Sequence, residues 1–271
     1  AVNNVADVDG LGPVTYTWKS GAVTLGTGSS LLLGQSQVGQ AITVTASYVD
    51  GFNTAESLIS SATVAVANVN DASTGTVTIS GTAEQGRTLT ASNTLADADG
   101  LGAISYTWMA GETVLGTGAS LLLGQTHVGQ AITVMASYTD GFNAPESQVS
   151  AATVAVSNVN DAPTGAVTIR GKPQQGQTLT AAHTLADADG LDTISYTWKT
   201  GEITWGTGSS LDLDQSHVGQ QITVTASYTD WQGTAEAVSS AATVAVASAN
   251  SEPIAWDIPV SAIEDTLLRG Y

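Results

Sequence analysis

The tetrapeptide Asp97-Ala98-Asp99-Gly100 has counterparts at Asp7-Val8-Asp9-Gly10 and Asp187-Ala188-Asp189-Gly190, each displaced by 90 residues. Trp18, Trp108 and Trp198 keep that spacing, and so do Tyr48, Tyr138 and Tyr228. A period longer than the roughly 20 to 50 residues of a solenoid repeat implies whole domains in tandem, each long enough to bury a core. The expected boundaries are 1–71, 72–161 and 162–251, with 252–271 opening a fourth, divergent repeat. Ala1 aligns with Ala91 and Ala181, so residues 72–90 of the middle repeat have no counterpart in the first, which reads as truncated.

Within the middle repeat, Thr76-Val77-Thr78-Ile79 and Ile104-Ser105-Tyr106-Thr107-Trp108 alternate with period two. Ile132, Val134, Ala136 and Tyr138 line one face of a third run, and Val154 and Val156 mark a fourth. Alternation in Val, Ile, Thr and Tyr is the pattern of half-buried antiparallel strands. Gly81, Gly86, Gly111, Gly116 and the Asp-Gly pairs between the runs are turn formers. No segment repeats apolar residues at helical spacing. The expected fold is therefore all-β: immunoglobulin-like sandwiches of about seven strands, with Trp108 in the place of that fold's buried tryptophan. The joins Asn68-Val69-Asn70-Asp71-Ala72 and Asn158-Val159-Asn160-Asp161-Ala162-Pro163 are too short and polar for flexible linkers. Pro163 holds Ala162 extended, so an elongated array is expected.

Composition narrows the partners. With 24 acidic and 6 basic side chains the net charge is -18, which repels nucleic acid and anionic lipid. The same charge can gather hard cations, which prefer carboxylate and carbonyl oxygens. The chain has no cysteine, which removes disulfides and thiolate zinc sites. His127, His183 and His217 occupy two different repeat positions, which argues against a histidine metal site or a Ser-His-Asp triad. No apolar run approaches the ~20 residues of a membrane span, and no signal peptide opens the chain.

Three oxygen-rich clusters recur. Asp97 and Asp99 are two residues apart, which in extended chain turns both to one side. Asp140 ends a strand before Gly141, and Asn158-x-Asn160-Asp161 forms the join. Calcium takes about six to eight oxygens, more than any single cluster supplies, whereas a join with the acids of the following repeat reaches that number. Asp-Gly and Asn-Asp are equally ordinary turn formers, so the residues leave both roles open.

The segments running from Leu95 through Asp97, Asp99 and Gly100 to Tyr106, from Val134 to Gly141, and from Val154 to Pro163 resemble the successive motifs of cadherin repeats. They resemble more closely the cadherin-like and bacterial immunoglobulin-like tandem repeats of giant RTX-type surface adhesins. The resemblance covers essentially the whole chain. It implies calcium shared between the linker, the Asp-x-Asp pair and the lone aspartate of the following repeat, with a glutamate of the preceding repeat. Carried onto this chain, the first join would use Asn68, Asn70, Asp71, Asp97, Asp99 and Asp140. The second would use Glu84, Asn158, Asn160, Asp161, Asp187, Asp189 and Asp230.

The chain departs from that pattern. Leu122-Leu123-Gly124-Gln125 is neutral where the family carries a further acidic motif, and the first two joins begin with asparagine instead of aspartate. Both changes lower ligand charge, so fewer or weaker ions per join are expected. At the last join, Ser248-Ala249-Asn250-Ser251 replaces Asn-x-Asn-Asp, and Gln174 replaces Glu84, which predicts poor calcium binding there. Pro253 and Glu264 keep the fourth repeat in register, and that tail is a candidate for strand exchange with a second copy.

Trp205 replaces Leu25 and Leu115, and Trp231 replaces Gly51 and Gly141. A turn tryptophan beside Asp230 can stack on a sugar, but packing against the tail around Trp256 is the simpler expectation. Three functions compete: a calcium-stiffened spacer of a large secreted or cell-surface bacterial adhesin, a glycan- or cell-binding module, and an accessory part of a secreted hydrolase. An acid–base pair recurring beside turn glycines in every repeat argues against the enzyme. The partners expected are calcium ions and neighbouring repeats, with any cell or glycan target bound through other domains.

Overall fold

The computed structural model describes residues 1–249. The expected start of a fourth repeat at 252–271, the exchange of its strands, the surroundings of Trp256, and Asn250-Ser251 of the last join lie outside the described residues. The chain parts into two compact units, with the break between Asn158 and Val159.

The first unit begins with one antiparallel sheet, ordered β2-β1-β3-β4, from β1 (Thr15–Ser20), β2 (Val23–Thr27), β3 (Thr43–Val49) and β4 (Ala55–Ile59). A complete sandwich follows. Its three-stranded sheet is β5-β6-β9, from β5 (Val77–Ser80), β6 (Thr88–Asn93) and β9 (Ser120–Leu122). Its four-stranded sheet is β11-β10-β7-β8, from β7 (Ser105–Ala110), β8 (Thr113–Thr117), β10 (Thr133–Thr139) and β11 (Pro145–Val149).

The second unit repeats the sandwich. Its smaller sheet, β12-β13-β16, is built from β12 (Val167–Arg170), β13 (Thr178–His183) and β16 (Ser210–Asp212). The larger, β15-β14-β17-β18, is built from β14 (Ser195–Thr200), β15 (Ile203–Thr207), β17 (Thr223–Thr229) and β18 (Ala235–Ser239). The all-β tandem-sandwich expectation is met.

The period-two pattern accounts for the core. Along β10, Val134, Ala136 and Tyr138 are buried, while Thr133, Met135 and Ser137 alternate with them on a half-buried face. They close on Val77, Leu89 and Leu121 of the opposing sheet, with Trp108 wholly buried between. A buried indole N–H needs an acceptor, and Trp108 Nε1 donates to the Gly118 carbonyl at 2.9 Å. Trp198 does the same to Gly208 in the second unit. The first repeat carries a single sheet, and its Trp18 is only half-buried.

One expected strand differs. The run marked by Val154 and Val156 is not a continuous strand but joins the sheet through bridges at Ala155 and Val156. Hydroxyls stand in for the missing ladder: the Ile132 N–H donates to Thr153 Oγ1 and the Val134 N–H to Ser150 Oγ, both at 3.0 Å. Serine and threonine hydroxyls can take the place of backbone acceptors in this way.

Candidate functional site at the repeat joins

The first join lies wholly inside the first unit. Asp97 sits in the loop between β6 and β7. Its Oδ1 accepts from the Asp99 N–H at 2.8 Å, an Asx turn, and Gly100 closes the turn at a φ of 102° where a Cβ is disfavoured. Its Oδ2 accepts from the Tyr138 hydroxyl at 2.5 Å, so β10 clamps the loop.

Asp99, only 4% exposed, turns instead to the preceding repeat. Its Oδ1 accepts from Gln35 Nε2 and its Oδ2 from the Asp71 backbone N–H, both at 2.7 Å. The Gly141 N–H donates to the Asp99 carbonyl at 3.1 Å, which ties this loop to the turn after β10.

That turn is organised by Asp140. Its Oδ1 accepts from the N–H groups of Phe142 and Ala144 at 2.8 and 2.7 Å. Asn143 closes the turn at a φ of 69°, a conformation asparagine tolerates better than most residues. Asp140 Oδ2 is buried and finds no hydrogen-bond donor, and the same is true of Asn68 Oδ1 on the linker. Two more contacts cross from linker to repeat. Asn70 Nδ2 donates to Glu146 Oε1 at 2.8 Å, and Gln148 Nε2 to the Ser73 carbonyl at 3.1 Å.

The second unit repeats its share of this arrangement. Asp187 accepts from the Asp189 N–H at 2.9 Å and the Tyr228 hydroxyl at 2.6 Å, and Asp189 Oδ2 from the Asp161 N–H at 2.6 Å. Asn160 Nδ2 donates to Glu236 Oε1 at 2.9 Å. Asp230 Oδ1 caps the N–H groups of Gln232 and Thr234, while its Oδ2 is buried without a donor. In the first unit, Asn158 Oδ1 is likewise buried without a donor. Glu84 bridges to Ser157 through its backbone and pairs with Arg87 Nε at 3.1 Å.

Of the residues expected at the first join, Asp99 contacts the linker directly and Asp140 sits against its loop. Asp71 contributes a backbone N–H, Asn70 turns to Glu146, and Asp97 is engaged by Tyr138. Sequence reasoning missed Gln35, Glu146 and the tyrosine tether. The signal was available, because Gln35, Gln125 and Gln215 recur at the same spacing as the acids, as do Glu56, Glu146 and Glu236.

A buried carboxylate oxygen without a donor is costly unless water or a cation meets it. Among the described residues no three acidic or histidine side chains converge as a metal cage. The orphaned oxygens of Asn68 and Asp140 fit a hard cation in chemical type. A complete shell would have to draw on backbone carbonyls and water.

The tyrosine tethers have a pH signature. The Tyr48 phenol is pushed up to about 12 from 10.0, first by its hydrogen bond to Asp7 and then by burial. Tyr138 and Tyr228 are raised first by burial and then by their bonds to Asp97 and Asp187. A folded-state pKa above the unfolded one gives stability that is complete below the unfolded value and lost as pH rises through the folded value. These three should therefore ionise above the ordinary tyrosine value in an alkaline titration followed by phenolate absorbance. Stability should fall between about pH 10 and 12 for Tyr48, and Tyr48→Phe should remove that residue's share. Titration of all tyrosines together near the ordinary value would refute the tethers.

The two irregular tryptophans differ. Trp205 packs against His217 with ring centroids 4.3 Å apart and planes tilted by 46°, and donates to Thr200 Oγ1 at 2.9 Å, so it serves packing. Trp231 remains 74% exposed. One side of its ring covers Gly190, where any Cβ would collide with the indole.

No protein-family model and no curated protein matches the chain. Among solved structures it is similar to a Ca2+-stabilized adhesin with which an Antarctic bacterium binds ice (16% identity, 90% of this chain and 67% of that one, TM-score 0.31). It is also similar to a tetra-tandem repeat in the extending region of a large adhesion protein (21% identity, 86% and 66%, TM-score 0.29). An ICAM-5 ectodomain fragment overlaps comparably (13% identity, 86% and 67%, TM-score 0.36). Overlaps this low carry no argument about what the chain does.

Proposed function

We propose that the chain is a spacer segment of a large secreted or cell-surface adhesin, whose joins are stiffened by side-chain bonds and by calcium. The repeats would then hold a distant binding domain away from the cell. The observation that carries this reading is the first join itself, where linker and following repeat are bonded through Asp99, Asn70 and Gln148.

The orphaned oxygens Asn68 Oδ1 and Asp140 Oδ2 support calcium in that join. When bound, the ion would offset the buried negative charge that the hydrogen bonds leave uncompensated. Asp97 and Asp99 would act through the loop they organise, with Asp71 and Asn70 anchoring the linker. Low ligand charge suits the weak affinities of extracellular modules, about 10⁻⁴ to 10⁻³ M. Since Asp97 and Asp99 spend their oxygens on the Tyr138 hydroxyl, N–H groups and Gln35, the pair is poorly placed for acid–base chemistry.

Small-angle scattering in calcium and then in excess chelator tests the proposal. The expected result is a long, sharply defined maximum dimension in calcium that broadens when the ion is removed. An unchanged profile would refute calcium as a brace of these joins.

A further inference from the structure

The first join contains a bond set that owes nothing to an ion. Both oxygens of the Asp99 carboxylate accept short hydrogen bonds from the preceding repeat: one from Gln35 in the 3-10 turn Gln35–Gln37, the other from the Asp71 N–H. Asp99 is nearly sealed from water, so the negative charge is held by donors alone. Charge-assisted bonds in such surroundings are the strong class of hydrogen bond. The oxygens left without donors belong to other side chains, Asn68 and Asp140.

We infer that Gln35 and Asp99 form an ion-independent latch between the first two repeats, so that this join stays partly ordered when calcium is absent. The side chain at position 35 then decides how much the join depends on the ion. A neutral amide offers Asp99 a proton donor. A carboxylate there would face Asp99 with like charge, and a divalent cation would be needed to bring the two together. The inference rests on reading the join as the stiffened element, and it assigns calcium a supplementary part.

The absence of cysteine makes the test direct, because Thr24→Cys and Thr113→Cys place one spin label on an exposed position of each repeat. Pulsed electron resonance then reads the distance between them. In chelator the parent chain should keep one main distance peak, broader than in calcium. Gln35→Ala should raise the population outside that peak about tenfold, as loss of a bond to a charged group implies. Gln35→Glu should be broad in chelator and narrow again in calcium, a reversal that mere loss of packing would not produce.

The latch is overturned if the parent is as broad in chelator as Gln35→Ala, or if neither substitution changes the distribution. Failure of calcium alone reads differently. If calcium narrows no variant but Gln35→Ala is still broader than the parent, the latch stands and the ion reading falls.

Discussion

Trp198→Ala should destabilise the second unit by about 3 to 5 kcal/mol, enough to remove much of the stability of a domain this size. The indole is wholly buried among Leu179, Leu213, Ile222 and Val224, and its Nε1 donates to the Gly208 carbonyl at 2.9 Å. Truncation therefore opens a cavity and removes the hydrogen bond to Gly208 at once. The chain has no disulfide to hold the two sheets together while the core loosens. Trp198→Phe, which keeps most of the apolar volume and loses the hydrogen bond, should cost about 1 to 3 kcal/mol. Urea unfolding followed by far-ultraviolet circular dichroism measures both. A loss below about 1 kcal/mol for the alanine variant would mean that the sandwich is not organised around this residue.

The second large effect separates two roles of one side chain. Asp140→Ala should cost about 2 to 4 kcal/mol, because the N–H groups of Phe142 and Ala144 lose their shared acceptor. Asp140→Asn keeps that acceptor and should cost far less. It replaces the orphaned oxygen with an amide nitrogen, however, which cannot ligate a cation. Parent and Asp140→Ala would differ in stability even in chelator. Parent and Asp140→Asn should differ chiefly in calcium, where saturation at about one hundred times the dissociation constant adds about 2.7 kcal/mol to the parent alone. Thermal unfolding of both variants with and without calcium decides the matter. A full calcium response in Asp140→Asn would exclude Asp140 Oδ2 as a ligand.

Much of the sandwich was legible in the chain. Alternation along Ile132, Val134, Ala136 and Tyr138 gave β10 to within a residue, because period two reports directly which face is buried. The segment of Val154 and Val156 was legible as apolar but not as irregular. It meets the N–H groups of Ile132 and Val134 through the hydroxyls of Thr153 and Ser150, and no apolar pattern records where a hydroxyl replaces a carbonyl.

The join divides the same way. Spacing together with neighbouring turn glycines singled out Asp97, Asp99 and Asp140, whereas Glu146, which recurs equally, lacked that second mark. Spacing could not say which oxygens were already taken. Asp97 and Asp99 look alike in sequence, yet one is tethered to its own Tyr138 and the other reaches Gln35 of the preceding repeat. Gln35 and Asp99 are 64 positions apart, and recurrence alone does not say which acid a glutamine will meet. Sequence by itself determined the repeat, the strand faces and the acidic inventory, all properties of local order and periodicity. Tertiary structure decided which carboxylate oxygens have donors and which remain buried without one, because hydrogen-bond satisfaction depends on groups that meet only after the chain has folded.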